Sequence, residues 1–174
     1  MQIVSKLVRG LFGFSVAGVL FAAPAGAAGT VTANLAVSAS VSATCSISTT
    51  PLAFGAYDPV GANSAAPLDG SGSVVVTCTN GAPTTVTLGQ GAHANTGSSD
   101  AVPLRRMASG GAFLSYALYS DAARSAVWGN TAGTGVAHTG SGTATSVSVY
   151  GRVAAGQNVG SGSYTDTVVA TVTF

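Results

Sequence analysis

The chain has 174 residues, with 6 Lys or Arg against 5 Asp or Glu, 24 Gly, and 47% hydrophobic residues. So little charge leaves no basic footprint for nucleic acid and no long-range steering of a charged partner. Disorder is excluded too, because it goes with low hydrophobicity and high net charge, and the length suits one domain with its own core.

Lys6 and Arg9 precede an apolar run, Leu11 to Phe21, that ends in the small residues AAPAGAAGT. A positive flank, a short apolar centre and an A-x-A site at Ala25-Gly26-Ala27 predict a signal peptide over 1–27, cleaved after Ala27 or Ala28. The alternative, an uncleaved membrane anchor, is opposed by the shortness of the run and its glycines. The rest of the chain holds no Lys and no Glu; Arg105, Arg106, Arg124 and Arg152 stand against Asp58, Asp69, Asp100, Asp121 and Asp166. It also holds Cys45 and Cys78. Export to an oxidising compartment makes an intramolecular disulfide the expectation, and closing a loop of about 34 residues contributes roughly 3–4 kcal/mol in the chain-entropy model.

From Thr30 to Ala43 the sequence reads TVTANLAVSASVSA. Val31, Ala33, Leu35, Val37, Ala39, Val41 and Ala43 share one parity, and only Ala36 breaks the polar set on the other. Period-two alternation over about fourteen residues outlasts a usual strand of 5–6. It predicts two strands in tandem: the residues just before Cys45 as the domain's first strand, and about Thr30 to Val37 as a free extension.

Downstream, PLAFGAY (51–57) predicts a short strand, and GSVVVTCT (72–79) a longer one ending in the turn signal Asn80-Gly81. TTVTLG (84–89) follows, so these two are expected to form a hairpin. Residues 90–111 read as a loop or irregular edge, FLSYALYS (113–120) as strand, and SDAARSAVWG as one helical turn anchored by Trp128. GNTAGTGVAHTGSGT (129–143) reads as a flexible connection. ATSVSVYGRV (144–153) and GSYTDTVVATVTF (162–174) are the last strands, the final one presenting Tyr164, Val168, Ala170, Val172 and Phe174 on one face. Without a helical period anywhere, the pattern predicts an all-β antiparallel sandwich or barrel. A last strand ending on apolar Phe174 wants a partner along its edge.

No catalytic constellation emerges. His93 and His138 lie in Gly-rich stretches with no G-x-S-x-G elbow, and the Asp residues are scattered through turns, Asp58 and Asp121 as turn or cap residues. No metal or cofactor motif is present: there is no C-x-x-C pair, no His at ligand spacing from a Cys, and no phosphate-binding glycine loop. Arg105-Arg106, the one positive cluster, reads as a surface salt bridge or loop brace, or as a contact with a neighbouring subunit.

Taken in order, the alternating strand leading to Cys45-Ser46-Ile47, then Leu52-Ala53-Phe54-Gly55, Val74-Val75-Val76-Thr77-Cys78-Thr79, LSYALYSDAARSAVWG, VYGRV and the terminal GSYTDTVVATVTF resemble the spore coat U-domain family, which includes major subunits of archaic (Csu-type) chaperone–usher pili. The resemblance covers essentially the whole mature chain. It implies an incomplete immunoglobulin-like antiparallel β-sandwich over 42–174, completed by donor-strand exchange. The donor is the extension 28–41 of another copy or of a related pilin, with Val31, Ala33, Leu35, Val37, Ala39 and Val41 facing the groove. Val168, Ala170, Val172 and Phe174 would form the groove edge, held first by a periplasmic chaperone whose basic residues grip the Phe174 carboxylate, and passed on at an outer-membrane usher. The implied protein is a secreted surface pilus subunit serving adhesion or biofilm formation, with no enzymatic activity, cofactor or nucleic-acid partner. A non-fibrous coat or matrix protein of the same fold and a monomeric secreted binding module are the alternatives.

Overall fold

The structure, a computed structural model, describes residues 26–174, so nearly all of the expected signal peptide lies outside the described residues. Residues 40–174 form one compact unit and those up to Ala39 another. Within the described part of the N-terminal unit there is no strand or helix and every residue is exposed, Val31 at 98% and Leu35 at 88%.

The compact unit is all-β. Its strands are β1 (Cys45–Thr50), β2 (Leu68–Cys78), β3 (Pro83–Leu88), β4 (Arg105–Ser109), β5 (Ala112–Tyr119), β6 (Val136–Thr139), β7 (Thr145–Val153) and β8 (Ala170–Thr173), with a single 3-10 turn at Ala62–Ser64. They pair antiparallel in two sheets, β1-β2-β7-β5-β4 and β6-β3-β8. Alternation puts Val74 and Val76 of β2, Leu114, Tyr116 and Leu118 of β5, and Val149 and Val153 of β7 against Val86 and Leu88 of β3. Trp128 completes this core, fully buried, its indole N–H donating to the Val86 carbonyl at 2.9 Å.

The first strand begins at Cys45, not before it. Cys45 stands opposite Cys78 at the end of β2, and the chain then turns at Asn80-Gly81, so residues before Thr44 have no strand beside them; the alternation that ends at Ala43 runs on through Cys45 and Ile47. The Cys45–Cys78 disulfide is formed across this first register pair. The expected hairpin across Asn80-Gly81 is also corrected, since β2 and β3 lie in different sheets. Both sides of β2 are already taken by β1 and β7, so the turn carries the chain across the sandwich. Gly81 N–H donates to Gly140 and Ala82 N–H to Thr79, with Gly81 in the left-handed region at φ 79.

Residues 51–57 form no ladder. Pro51 has no N–H to give an edge, and the segment instead leaves β1 and crosses the sandwich interior, where Leu52 and Phe54 lie over Gly70, Gly72 and Gly151. A Cβ at Gly151 would stand 2.8 Å from both the Leu52 side chain and the Phe54 ring, so the missing side chains make room for the crossing. Residues 90–111, read as a loop or irregular edge, hold the edge strand β4, turned back onto β5 through Gly110-Gly111 with both φ positive, and the stretch read as a flexible connection holds β6 on the edge of the small sheet. The helical turn expected near Asp121 is a non-helical turn, in which the Asp121 carboxylate accepts from the Ser125 and Ala126 amides. Of the long final strand only Ala170–Thr173 is laddered, against β3.

Gly140 tests the crossing turn, because a Cβ there would strike the Thr79 carbonyl. Gly140→Ala lowers the unfolding free energy by about 1–3 kcal/mol, read as a lower urea midpoint at unchanged slope. Gly133→Ala, with nothing within 4 Å of the added methyl, shifts it by about 0.5 kcal/mol or less.

Candidate functional site

β1 is the outermost strand of one sheet and β8 of the other. Between residues 49–57 on one side and 159–170 on the other the sandwich is open, forming a cleft of about 1160 Å³. Its floor is the core itself, with Val74, Leu88, Leu114, Leu118, Val149 and Val153 all lining it. Leu52 and Phe54 form one wall, and Tyr164, Val168 and Ala170 the other. Phe54 meets the ring of Tyr116 edge-on, centroids 5.9 Å apart.

The second wall has an unmatched backbone edge. Thr165 exchanges both of its backbone bonds with Ala108, while the Thr167 and Val169 carbonyls accept from Ala92 and Gly89. In an extended chain the intervening residues turn their N–H and C=O the other way, so those of Asp166 and Val168 face the cleft. Side chains follow the same parity: Tyr164, Asp166, Val168, Ala170 and Val172 are half-buried, whereas Thr165, Thr167, Val169, Thr171 and Thr173 are exposed. Phe174, expected on the inward face, is 58% exposed.

A polar network holds this wall in place. The Asp166 side chain is only 2% exposed; one oxygen accepts from the Ala92 amide at 2.9 Å and contacts His93 Nδ1 at 3.1 Å, and the other accepts from the Tyr116 hydroxyl at 2.6 Å. Gly91, at φ 84, lets the chain pass there, because a Cβ would strike the carboxylate. Burial, with the adjacent Asp166, pushes the Tyr116 hydroxyl well above the usual tyrosine range.

Arg105, expected on the surface, is 1% exposed. Its Nε donates to the Gly89 carbonyl and one Nη to the Leu88 and Trp128 carbonyls, each at 2.8 Å, tying β4 to the end of β3 across the sandwich. Burial lowers its pKa to about 10. Arg106 is the loop brace: it donates to His93 and Ala94 carbonyls and lies 4.0 Å over the Phe113 ring. His93 is therefore tied to Asp166 rather than free in a loop. Tyr116 and Trp128 are buried and supply no aromatic binding platform. Among the described residues no three His, Cys, Asp or Glu side chains converge as a metal site.

Sequence reading placed Val168, Ala170 and Val172 on the inward face of the last strand, where the structure has them. It missed Asp166, Tyr116, Leu52 and Phe54 as groove residues. For Asp166 the signal was present: a carboxylate at a position whose neighbours of the same parity, Tyr164 and Val168, are apolar.

A family model described as the Spore Coat Protein U domain matches residues 31–171. The chain is similar to Protein U of Myxococcus xanthus, at 50% identity over 155 residues, covering 84% of this chain and 87% of that one. Its fold is similar to a chain in the crystal structure of the CsuC-CsuE chaperone-tip adhesion subunit pre-assembly complex from the archaic chaperone-usher Csu pili of Acinetobacter baumannii. That match has a TM-score of 0.54 at 21% identity, over 77% of this chain and 40% of that one.

Tyr116→Phe leaves one Asp166 oxygen without its donor, lowering stability at pH 7 by about 1–3 kcal/mol. Because the folded-state pKa of Tyr116 is raised, its contribution is present below the unfolded value near 10 and is lost as pH rises beyond it. The difference between the two proteins, measured by urea unfolding, therefore narrows above about pH 10. A gap that stays constant into strong alkali would show that the buried hydroxyl does not carry it.

Proposed function

We infer that this chain, which belongs to the Spore Coat Protein U domain family, is a secreted, non-enzymatic structural subunit of a chaperone–usher-type surface fibre. One observation carries the reading: the core lies open between two unmatched sheet edges. A sandwich in this state is completed by a strand from another molecule. The alternating stretch Val31 to Val41, exposed along its length, has the pattern of such a strand.

The physical gain is large. Burying Val31, Leu35, Val37 and Val41 contributes about 6–12 kcal/mol before entropy costs, at roughly 1.5–3 per side chain, and the backbone ladder adds to it. Donor and groove are different surfaces, so the contact is heterologous and propagates into a filament. The near absence of charge leaves few like charges to repel between stacked copies. Before assembly a periplasmic chaperone occupies the groove along Val168, Ala170 and Val172, and an outer-membrane usher exchanges it for the next subunit. The fibre serves adhesion and biofilm formation. Among the described residues no helix is long and apolar enough to cross a membrane.

The family description and the likeness to Protein U favour a second use of the same fold, as a non-fibrous coat or matrix protein. Electron microscopy of the native assembly separates the two, the first giving thin fibres and the second none. For either, unheated samples of the secreted protein hold SDS-resistant oligomers that disappear on boiling and on deletion of residues 28–40. A full-length secreted protein that runs as a stable monomer would sink the reading.

A further inference from the structure

The outer face of the larger sheet carries a second concavity, on the side of β5 turned away from the cleft. Leu114, Tyr116 and Leu118 point into the core, so Ser115, Ala117 and Tyr119 point outward. The same parity puts Arg106 of β4 and Arg152 of β7 on that face, since Arg105 and Val153 are buried. Register sets Arg106 opposite Ser115 and Arg152 opposite Ala117. The two arginines therefore flank β5 from either side, and the Ala117 methyl leaves the space between them unfilled. The result is a depression of about 250 Å³, edged by Leu104 and Tyr119.

Both guanidinium groups are held in place yet keep donors free. Arg106 donates through Nε and Nη2 to the His93 and Ala94 carbonyls and lies over the Phe113 ring. Those partners are neutral, and among the described residues Arg106 forms no ion pair. Arg152 donates through Nε and Nη2 to the two oxygens of Asp69, at 2.7 and 2.8 Å. That carboxylate is shared with Arg124 at 3.3 Å, so one negative charge faces two positive ones. Among the described residues neither Arg106 nor Arg152 has a partner for Nη1, and no carboxylate lines the depression.

This is a site for an acceptor-rich, negatively charged ligand. Strands about 4.8 Å apart and a rise of about 3.3 Å per residue place the two arginine Cα atoms roughly 12 Å from each other. Their contacts draw the side chains apart, Arg152 toward Asp69 on β2 and Arg106 toward Phe113, so one small anion does not meet both. A polymer with a carboxylate on successive rings does. Sugar rings match the middle as well, because their C–H faces suit Ala117, Leu104 and the ring of Tyr119. A nucleic acid would want a basic stripe rather than two isolated arginines. We propose that this depression binds an acidic polysaccharide, a uronic acid polymer whose carboxylates pair with Arg106 and Arg152 while one ring lies over Ala117 beside Tyr119. One copy contains the whole depression, so the proposal does not rest on strand borrowing. In a fibre the site would recur in every subunit, and many weak contacts would add as avidity.

Titration of the full-length secreted chain with tetragalacturonate, followed by calorimetry, tests the site, with the fully methyl-esterified tetramer as the neutral match. The acid binds saturably and the ester at least about tenfold more weakly, because its charge-assisted bonds to the arginines are lost. Arg152→Gln weakens binding of the acid by about tenfold. Ala117→Leu keeps every charge but fills the depression, and weakens it by about tenfold as well. Ser148→Leu, exposed on the same face outside the depression, leaves the affinity unchanged, and urea midpoints show that each variant is folded. Equal binding of acid and ester, an unchanged Kd in folded Ala117→Leu, or equally tight binding of oligothymidylate, which offers phosphate in place of uronate, would overturn the proposal. The strand-borrowing reading is decided separately, by the SDS-resistant oligomers.

Discussion

An interior strand of an antiparallel sheet satisfies its backbone on both sides, and an outermost strand on one only. In this fold β1 and β8 are outermost in different sheets and border the same cleft, so the sandwich is left open along one seam. Behind the seam lies the core rather than a polar surface. Proteins usually blunt such edges with Lys, Pro, bulges or inward charges. Here the chain after Lys6 has no Lys at all, and the open wall presents a largely Thr-outside, apolar-inside strand whose inward charge, Asp166, is turned to its own hydrogen-bond partners. The edge stays available for pairing.

An open seam raises a second problem, which is how its walls keep their shape with nothing between them. On one side β1 is pinned to β2 by the Cys45–Cys78 disulfide, and Leu52 and Phe54 are seated on the glycines of β2 and β7. On the other side β8 is laddered over only four residues. The stretch before it is held by the Thr165–Ala108 bridge and by the Asp166 carboxylate. Arg105 does comparable work at the end of β3, donating to the Gly89, Leu88 and Trp128 carbonyls. These two buried charges explain why so sparsely charged a chain keeps them where it does.

Strands with long, clean alternation were legible from the residues: β2, β3, β5 and β7 lie where the pattern put them, and the disulfide joins the two cysteines expected to pair. The inward face of the last segment was legible as well. Less visible were β4 and β6, whose four or five residues carry too little pattern to stand out from Gly-rich surroundings. Gly110-Gly111 was the missed signal for the first of them. Segment 51–57 looked like a strand because Leu52, Phe54 and Tyr57 are spaced apolar residues, but what Leu52 and Phe54 face is a glycine floor in another part of the chain.

The amino-acid order alone determined the all-β class, the inward and outward faces of each long strand, the Cys45–Cys78 pairing and an N-terminal stretch too long for one strand. Those properties are local, fixed by side-chain parity and by the chain's having just two cysteines. Tertiary structure decided the rest: which sheet each strand joins, that Asn80-Gly81 crosses the sandwich instead of closing a hairpin, that Arg105 is buried, and that Asp166 sits beneath the open wall. Each depends on which edges are already occupied and on what a distant segment brings into contact, and hydrophobic periodicity along one strand carries no record of either.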